Sequence, residues 1–182
     1  MKLTAAKRKI VSPQIDEAPL ELLSLESNCG PLTIWWTLQY FGRRVGAKRI
    51  VRDSHHSSKA GVYAICMATC LREYGFRVRF FSDEDSRPHL AEKLCYSRSK
   101  SLGIEICPAV IAETLLKQLK SNNLLIVLYN KDNGDAHYSP VTGFSEKYLK
   151  LPFEPSGRIR REDFQKSWDN GEILRQGILV SP

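Results

Sequence analysis

The sequence predicts an α+β fold, with helices gathered in the first half of the chain and an antiparallel sheet in the second. Three observations carry this. Apolar residues recur at helical spacing in LTIWWTLQYFG and again in VYAICMATCLREYG, and each run closes on a glycine. Short strand-like runs bounded by turn residues follow, at 124–129, 137–143, 147–151 and 177–180. Helices come first and strands later, without the alternation that builds a parallel sheet.

The elements read in order as follows. Residues 1–18 form a flexible N-terminal arm, since termini without anchors are poorly ordered. The domain proper is 19–182. Residues 18–25 are apolar and suit an entry strand or a helical turn. Pro31 fits the first turn of the next helix, where its missing N–H costs nothing. Ser27 or Asn28 can cap that helix and Gly42 can end it. A short helix is expected at 46–54, and a third opens after Gly61 and stops at Gly75. Residues 76–81 alternate Phe, Arg, Val, Arg, Phe, which is the period of a strand. Residues 82–103 are charged and show no clear period. An amphipathic helix is expected at 110–120, and KDNGD makes a loop before 137. The segments 137–143 and 147–151 read as a hairpin, followed by a helix at 161–168 and a last strand.

Composition excludes several classes. The 182 residues fit one domain, and 42% apolar with 26% charged is ordinary for a globular protein. The +7 charge arises from 27 basic and 20 acidic residues spread along the chain. No nucleic-acid motif accompanies them, so no nucleic-acid partner is expected. The apolar runs are too short to span a bilayer. The basic N-terminus lacks an apolar segment behind it, so no secretory signal is read and a cytoplasmic location is expected, with export by a leaderless route left open. Five cysteines cannot all pair, which points to a reducing compartment. Cys66 and Cys70 read as small buried hydrophobes. No second cysteine pair has ligand spacing, so no metal or cofactor is expected.

One cysteine stands apart. Cys29 lies at the predicted N-terminus of a helix, where the dipole and unpaired N–H groups favour a thiolate. Gly30 beside it leaves room for a substrate backbone, and the Cys29 N–H is a candidate oxyanion donor. The general base must come from far along the chain. His55, His56 and His89 sit in polar or charged stretches and read as surface residues. His137 opens an apolar strand directly after a loop and is the candidate base. A hairpin turning at Ser145 and Glu146 sets Glu154 opposite His137, where a carboxylate can orient the imidazole. These residues suit a thiol hydrolase working through a thioester.

The pieces NCGP at 28–31, GVYAICMATCLREYGFRVRFF at 61–81, HYSPVTGF at 137–144, and FEP at 153–155 before EDFQKSW at 162–168 resemble the bacterial bacteriocin-processing peptidases. That family cleaves after double-glycine leaders and belongs to the papain-like superfamily. The resemblance covers about residues 20–182. It implies a papain-like α+β fold and a triad of Cys29, His137 and Glu154, acting on a peptide or protein substrate. Three departures stand out. The family places a Gln five or six residues before the cysteine to complete the oxyanion hole, and this chain has Ser24 and Leu23 there. Losing such a donor costs roughly 10²-fold or more in rate. Asn28, Ser24 and, more remotely, Gln14 are the candidate replacements. Glu154 stands where Asp is usual. Pro140 interrupts the His137 strand and places it at a sheet edge. The readings carried forward are a peptide or amide hydrolase, an acyltransferase using the same site, and a catalytically silent binding module.

Overall fold

A long helix packed against the edge strand of a sheet sets the frame of the molecule. The computed structural model describes residues 12–131, 135–169 and 173–182. Helices α1 (Leu20–Leu23), α2 (Cys29–Tyr40), α3 (Ala47–Asp53) and α4 (Ala64–Glu73) lead into strand β1 (Arg77–Ser82). Then come α5 (Leu90–Ser101), β2 (Glu105–Pro108), α6 (Ala112–Leu116) and β3 (Leu124–Asn130). The C-terminal part holds β4 (Ala136–Val141), β5 (Gly143–Phe144), β6 (Tyr148–Lys150), β7 (Arg158–Arg160), α7 (Arg161–Asp169) and β8 (Gln176–Ser181). The α+β class is as expected, with N-terminal helices against a largely antiparallel sheet.

The main sheet runs β2-β1-β8-β3-β4, and β5-β6-β7 form a smaller one. All its pairings are antiparallel except β1 with β2. A parallel pair needs a long crossover, and α5 supplies it. This explains 82–103: His89 caps α5 and Glu92 returns a bond to the His89 N–H, a local cap hidden among charges. Strand β3 is covered on both sides, so its sequence is continuously apolar rather than alternating. Leu124 and Ile126 join the core under α2 and α4, while Leu125, Val127 and Tyr129 join a second core with Phe164 and Trp168 of α7. Pro140 lies on the edge strand, where its missing donor faces no partner.

Four expectations need correction. The segment from Pro13 to Ala18 is not a loose arm: Pro13 and Ala18 are buried, and the Pro13 carbonyl accepts the Trp36 indole N–H at 2.8 Å. Residues 1–11 of the expected arm lie outside the described residues, as does the middle of the KDNGD loop. Cys66 is not a free thiol, because it is disulfide-bonded to Cys95 and ties α4 to α5. Cys70 is buried, as expected. The helix at 110–120 is only five residues long. It ends at Leu116, and Asn123 closes the turn that follows, accepting from the Lys120 N–H and donating to the Gln118 carbonyl.

The fourth correction concerns the hairpin. Strand β4 pairs with β3, with His137 opposite Tyr129. The chain then leaves the main sheet, and Gly143 and Phe144 pair with Lys150 and Leu149 in the smaller one. Strand β6 stops at Lys150, and Glu154 falls in the following turn, where its N–H bonds the Leu151 carbonyl and its carbonyl accepts the Gly157 N–H. No ladder therefore sets Glu154 opposite His137.

Candidate active site

The nucleophile position is built by two loops locked together. Ser27 has φ of 51°, a left-handed conformation that a non-glycine residue adopts only when its surroundings enforce it. Its hydroxyl donates to the Ser58 carbonyl at 3.1 Å. His56 Nε2 meets the Glu26 carbonyl at 2.9 Å, so this histidine is structural rather than merely solvated. Ser57 and Gly61 exchange backbone bonds and close the second loop. Val62, just beyond, packs so closely on Gly30 that a β-carbon there would lie 2.6 Å from the Val62 Cβ. Helix α2 starts at Cys29, whose N–H has no acceptor among the described residues. That unpaired donor beside the sulfur is what an oxyanion requires.

His137 comes from the start of the edge strand β4. Its ring lies 5.8 Å from that of Tyr129, edge to face, and 6.2 Å from that of Phe153. Its Nε2 is buried and has no hydrogen-bond partner among the described residues. Burial, and then the positive charge of Lys131, push the imidazole down to about 4, so it is neutral at pH 7 and free to accept a proton. A cavity of about 700 Å³ opens here, and both Cys29 and His137 line it. Tyr138 lies on the same wall, deeply buried, and that burial holds its phenol protonated. Thiol and imidazole, more than a hundred positions apart in sequence, thus face one space.

The other expected site residues behave differently. Glu154 accepts the Tyr129 hydroxyl on Oε1, and Lys131 Nζ stands 3.9 Å from the same oxygen. It lines a second cavity of about 710 Å³ rather than the one shared by Cys29 and His137. Asn28 lines the first cavity, but its amide donates to the Leu23 carbonyl at 2.9 Å and closes the turn before α2. Ser24 is exposed and does not line the cavity, and Gln14 is the N-cap of a 3₁₀ turn ahead of α1. His89 stacks on Tyr63 besides capping α5.

Sequence reasoning missed Tyr129 and Gln176. Gln176 reaches the cavity wall from β8 and donates to the Ser82 hydroxyl at 3.3 Å. It opens a strand, and nothing local marks it. Tyr129 ends an apolar run and reads as core. Among the described residues no cluster of His, Cys, Asp and Glu could hold a metal ion, and no helix is long and apolar enough to cross a membrane.

The fold has solved counterparts. The peptidase domain of Streptococcus ComA, a bifunctional ABC transporter involved in a quorum-sensing pathway, superposes with a TM-score of 0.54 at 18% identity, covering 85% of this chain and 90% of that one. A double-glycine motif protease from an AMS/PCAT transporter, in complex with its leader peptide, gives 0.55 at 18% identity, covering 85% and 84%. The chain shares the fold of these two domains. No family model and no curated protein sequence matches the chain. The likeness thus resides in backbone architecture more than in sequence. The packing of α2 against β4 accounts for why a helix N-terminus and the first residues of an edge strand meet at one cavity.

Proposed function

We propose that the chain is a cysteine peptidase acting on a peptide segment held in the cavity of Cys29 and His137. The observation that carries this is the convergence of a helix-N-terminal thiol and a neutral imidazole on one cavity. The Cys29 sulfur attacks the substrate carbonyl carbon, and His137 takes the thiol proton. The oxyanion points at the free Cys29 N–H. Collapse breaks the carbon–nitrogen bond, and His137 returns its proton to the leaving amine. Water then hydrolyses the thioester, with His137 again as base. Glu154 is the orienting carboxylate of this scheme once it engages the second imidazole nitrogen. A leader peptide is bound in the complex of the double-glycine motif protease, and a peptide carrying a double-glycine leader is accordingly the substrate class to try first.

The test is incubation of the purified chain with such peptides, read by mass spectrometry. Cleavage by the wild type and its loss in Cys29→Ala is the expected pair of results. Cleavage that survives Cys29→Ala, or no cleavage and no trapped acyl-enzyme with any peptide, overturns the proposal. Adding amine acceptors to an acyl-enzyme separates hydrolysis from acyl transfer. A catalytically silent module is favoured by one observation: position 23 is Leu, and Ser24 lies off the cavity wall. That reading predicts unchanged biological effect in Cys29→Ala.

A further inference from the structure

The carboxylate that should orient His137 is engaged elsewhere, and the nitrogen it should meet is buried with no partner among the described residues. Glu154 and His137 line different cavities. Tyr129 stands between these environments: it pairs with His137 across the β3–β4 ladder, and its hydroxyl donates to Glu154. We propose that Tyr129 is a positioning residue that, with Lys131, holds Glu154 off His137, so that the resting site is a dyad and becomes a triad only on release of Glu154. This rests on the peptidase reading of the same residues.

The physical case has three parts. A buried imidazole nitrogen without a partner is a state that proteins rarely tolerate outside functional sites. A carboxylate close enough to accept from it would both satisfy it and stabilise the imidazolium. What prevents this is a hydroxyl buried in the second core, which stays protonated and so always donates. Lys131 adds a charge attraction on the same carboxylate oxygen and opposes protonation of His137. The other ionisable groups lining the His137 cavity are Cys29 from α2, Asp135 and Tyr138 at its own strand end, and Lys59, Tyr63, Asp85 and Glu92 across it. Arg158, Arg160 and Asp163 share the second cavity with Glu154. Glu92 is spoken for by the α5 cap, and Asp85 bonds the Arg87 N–H. Glu154 is the carboxylate held by Tyr129, the cross-strand neighbour of His137, and so the one that a change at Tyr129 would release.

The experiment follows the His137 ring protons by NMR through a pH titration, in a Cys29→Ala background, with His137→Gln used for assignment. The parent should titrate near pH 4. Tyr129→Phe should raise the midpoint by about one pH unit or more, as a carboxylate partner does. Adding Glu154→Gln to it should cancel the rise, and Glu154→Gln alone should leave the parent midpoint unchanged. No rise in Tyr129→Phe, or a rise that survives Glu154→Gln, overturns the proposal. So does a fall in Glu154→Gln alone, which would mean that Glu154 already acts on His137; this arm decides even if Tyr129→Phe fails to fold. The readout uses an inactive variant, so it can fail while peptide cleavage stands, and the reverse.

Discussion

Gly30→Ala is the substitution to which the nucleophile's position is most exposed. The added β-carbon would lie 2.6 Å from Val62 Cβ and 2.9 Å from Val62 Cγ2. Carbon atoms in contact prefer about 3.5–4.0 Å, so the deficit is close to ~1 Å. The nearer atom is a Cβ, fixed by its backbone, and rotating the Val62 side chain does not remove it. That backbone is held by the Ser57–Gly61 bridge and the Ser27–Ser58 bond. Either α2 or this loop must shift. Overpacking of this kind costs about 1–3 kcal/mol. The gain from replacing a helical glycine offsets up to ~1 kcal/mol of it. With the full offset, a net loss of up to about 2 kcal/mol in urea unfolding is expected. The shift also moves Cys29, and a displacement near ~1 Å costs on the order of 10²-fold in rate. Alkylation of Cys29 and peptide cleavage should both fall. Val62→Gly in the same chain should restore alkylation, whereas Val62→Ala should not, because it keeps the offending atom. A Gly30→Ala protein that is more stable than the wild type and reacts at its rate would refute the reasoning.

Further outcomes follow from other parts of the molecule. Iodoacetamide should label Cys29 at least ~10-fold faster than Cys107 or Cys70. Cys70 is buried with its thiol pushed up to about 12, burial and then Glu105 raise Cys107, and Cys66 and Cys95 are paired; peptide mapping of the labelled protein checks this. For pH, kcat/KM should hold down to about pH 5 and fall only as pH nears 4, because it reports the free enzyme's base. The same shift affects stability. His137 binds its proton less readily when folded, so its contribution is full above about pH 6.5 and drains as pH falls toward 4. The loss is at most about 3 kcal/mol. Acid titration of the midpoint of unfolding measures it. Trp36→Phe leaves the Pro13 carbonyl without its donor and should cost about 1–3 kcal/mol in denaturant unfolding.

Much of the architecture was legible because local chemistry and tertiary packing agree. Gly42 and Gly75 do close helices in the left-handed conformation, and β3 reads as a strand because both of its faces are covered. Cys29 and His137, singled out by the company they keep in the sequence, do line one cavity. Strand β2 could not: it is four residues long, largely exposed, and owes its existence to pairing with β1. The position of Glu154 failed for a related reason. A hairpin register assumes that the strands stay paired, and the chain instead changes sheets at Thr142, between β4 and β5. Tyr129 and the Cys66–Cys95 bond depend on contacts between distant elements, for which the local sequence carries no mark.

Thiol catalysis here requires the imidazole beside the sulfur. The direct measurement is the alkylation rate of Cys29 at pH 7 in wild type and His137→Ala, with Cys107 as the internal control. Loss of the neighbouring base should slow Cys29 by at least ~10-fold while Cys107 keeps its rate. Equal Cys29 rates in the two proteins would contradict the account.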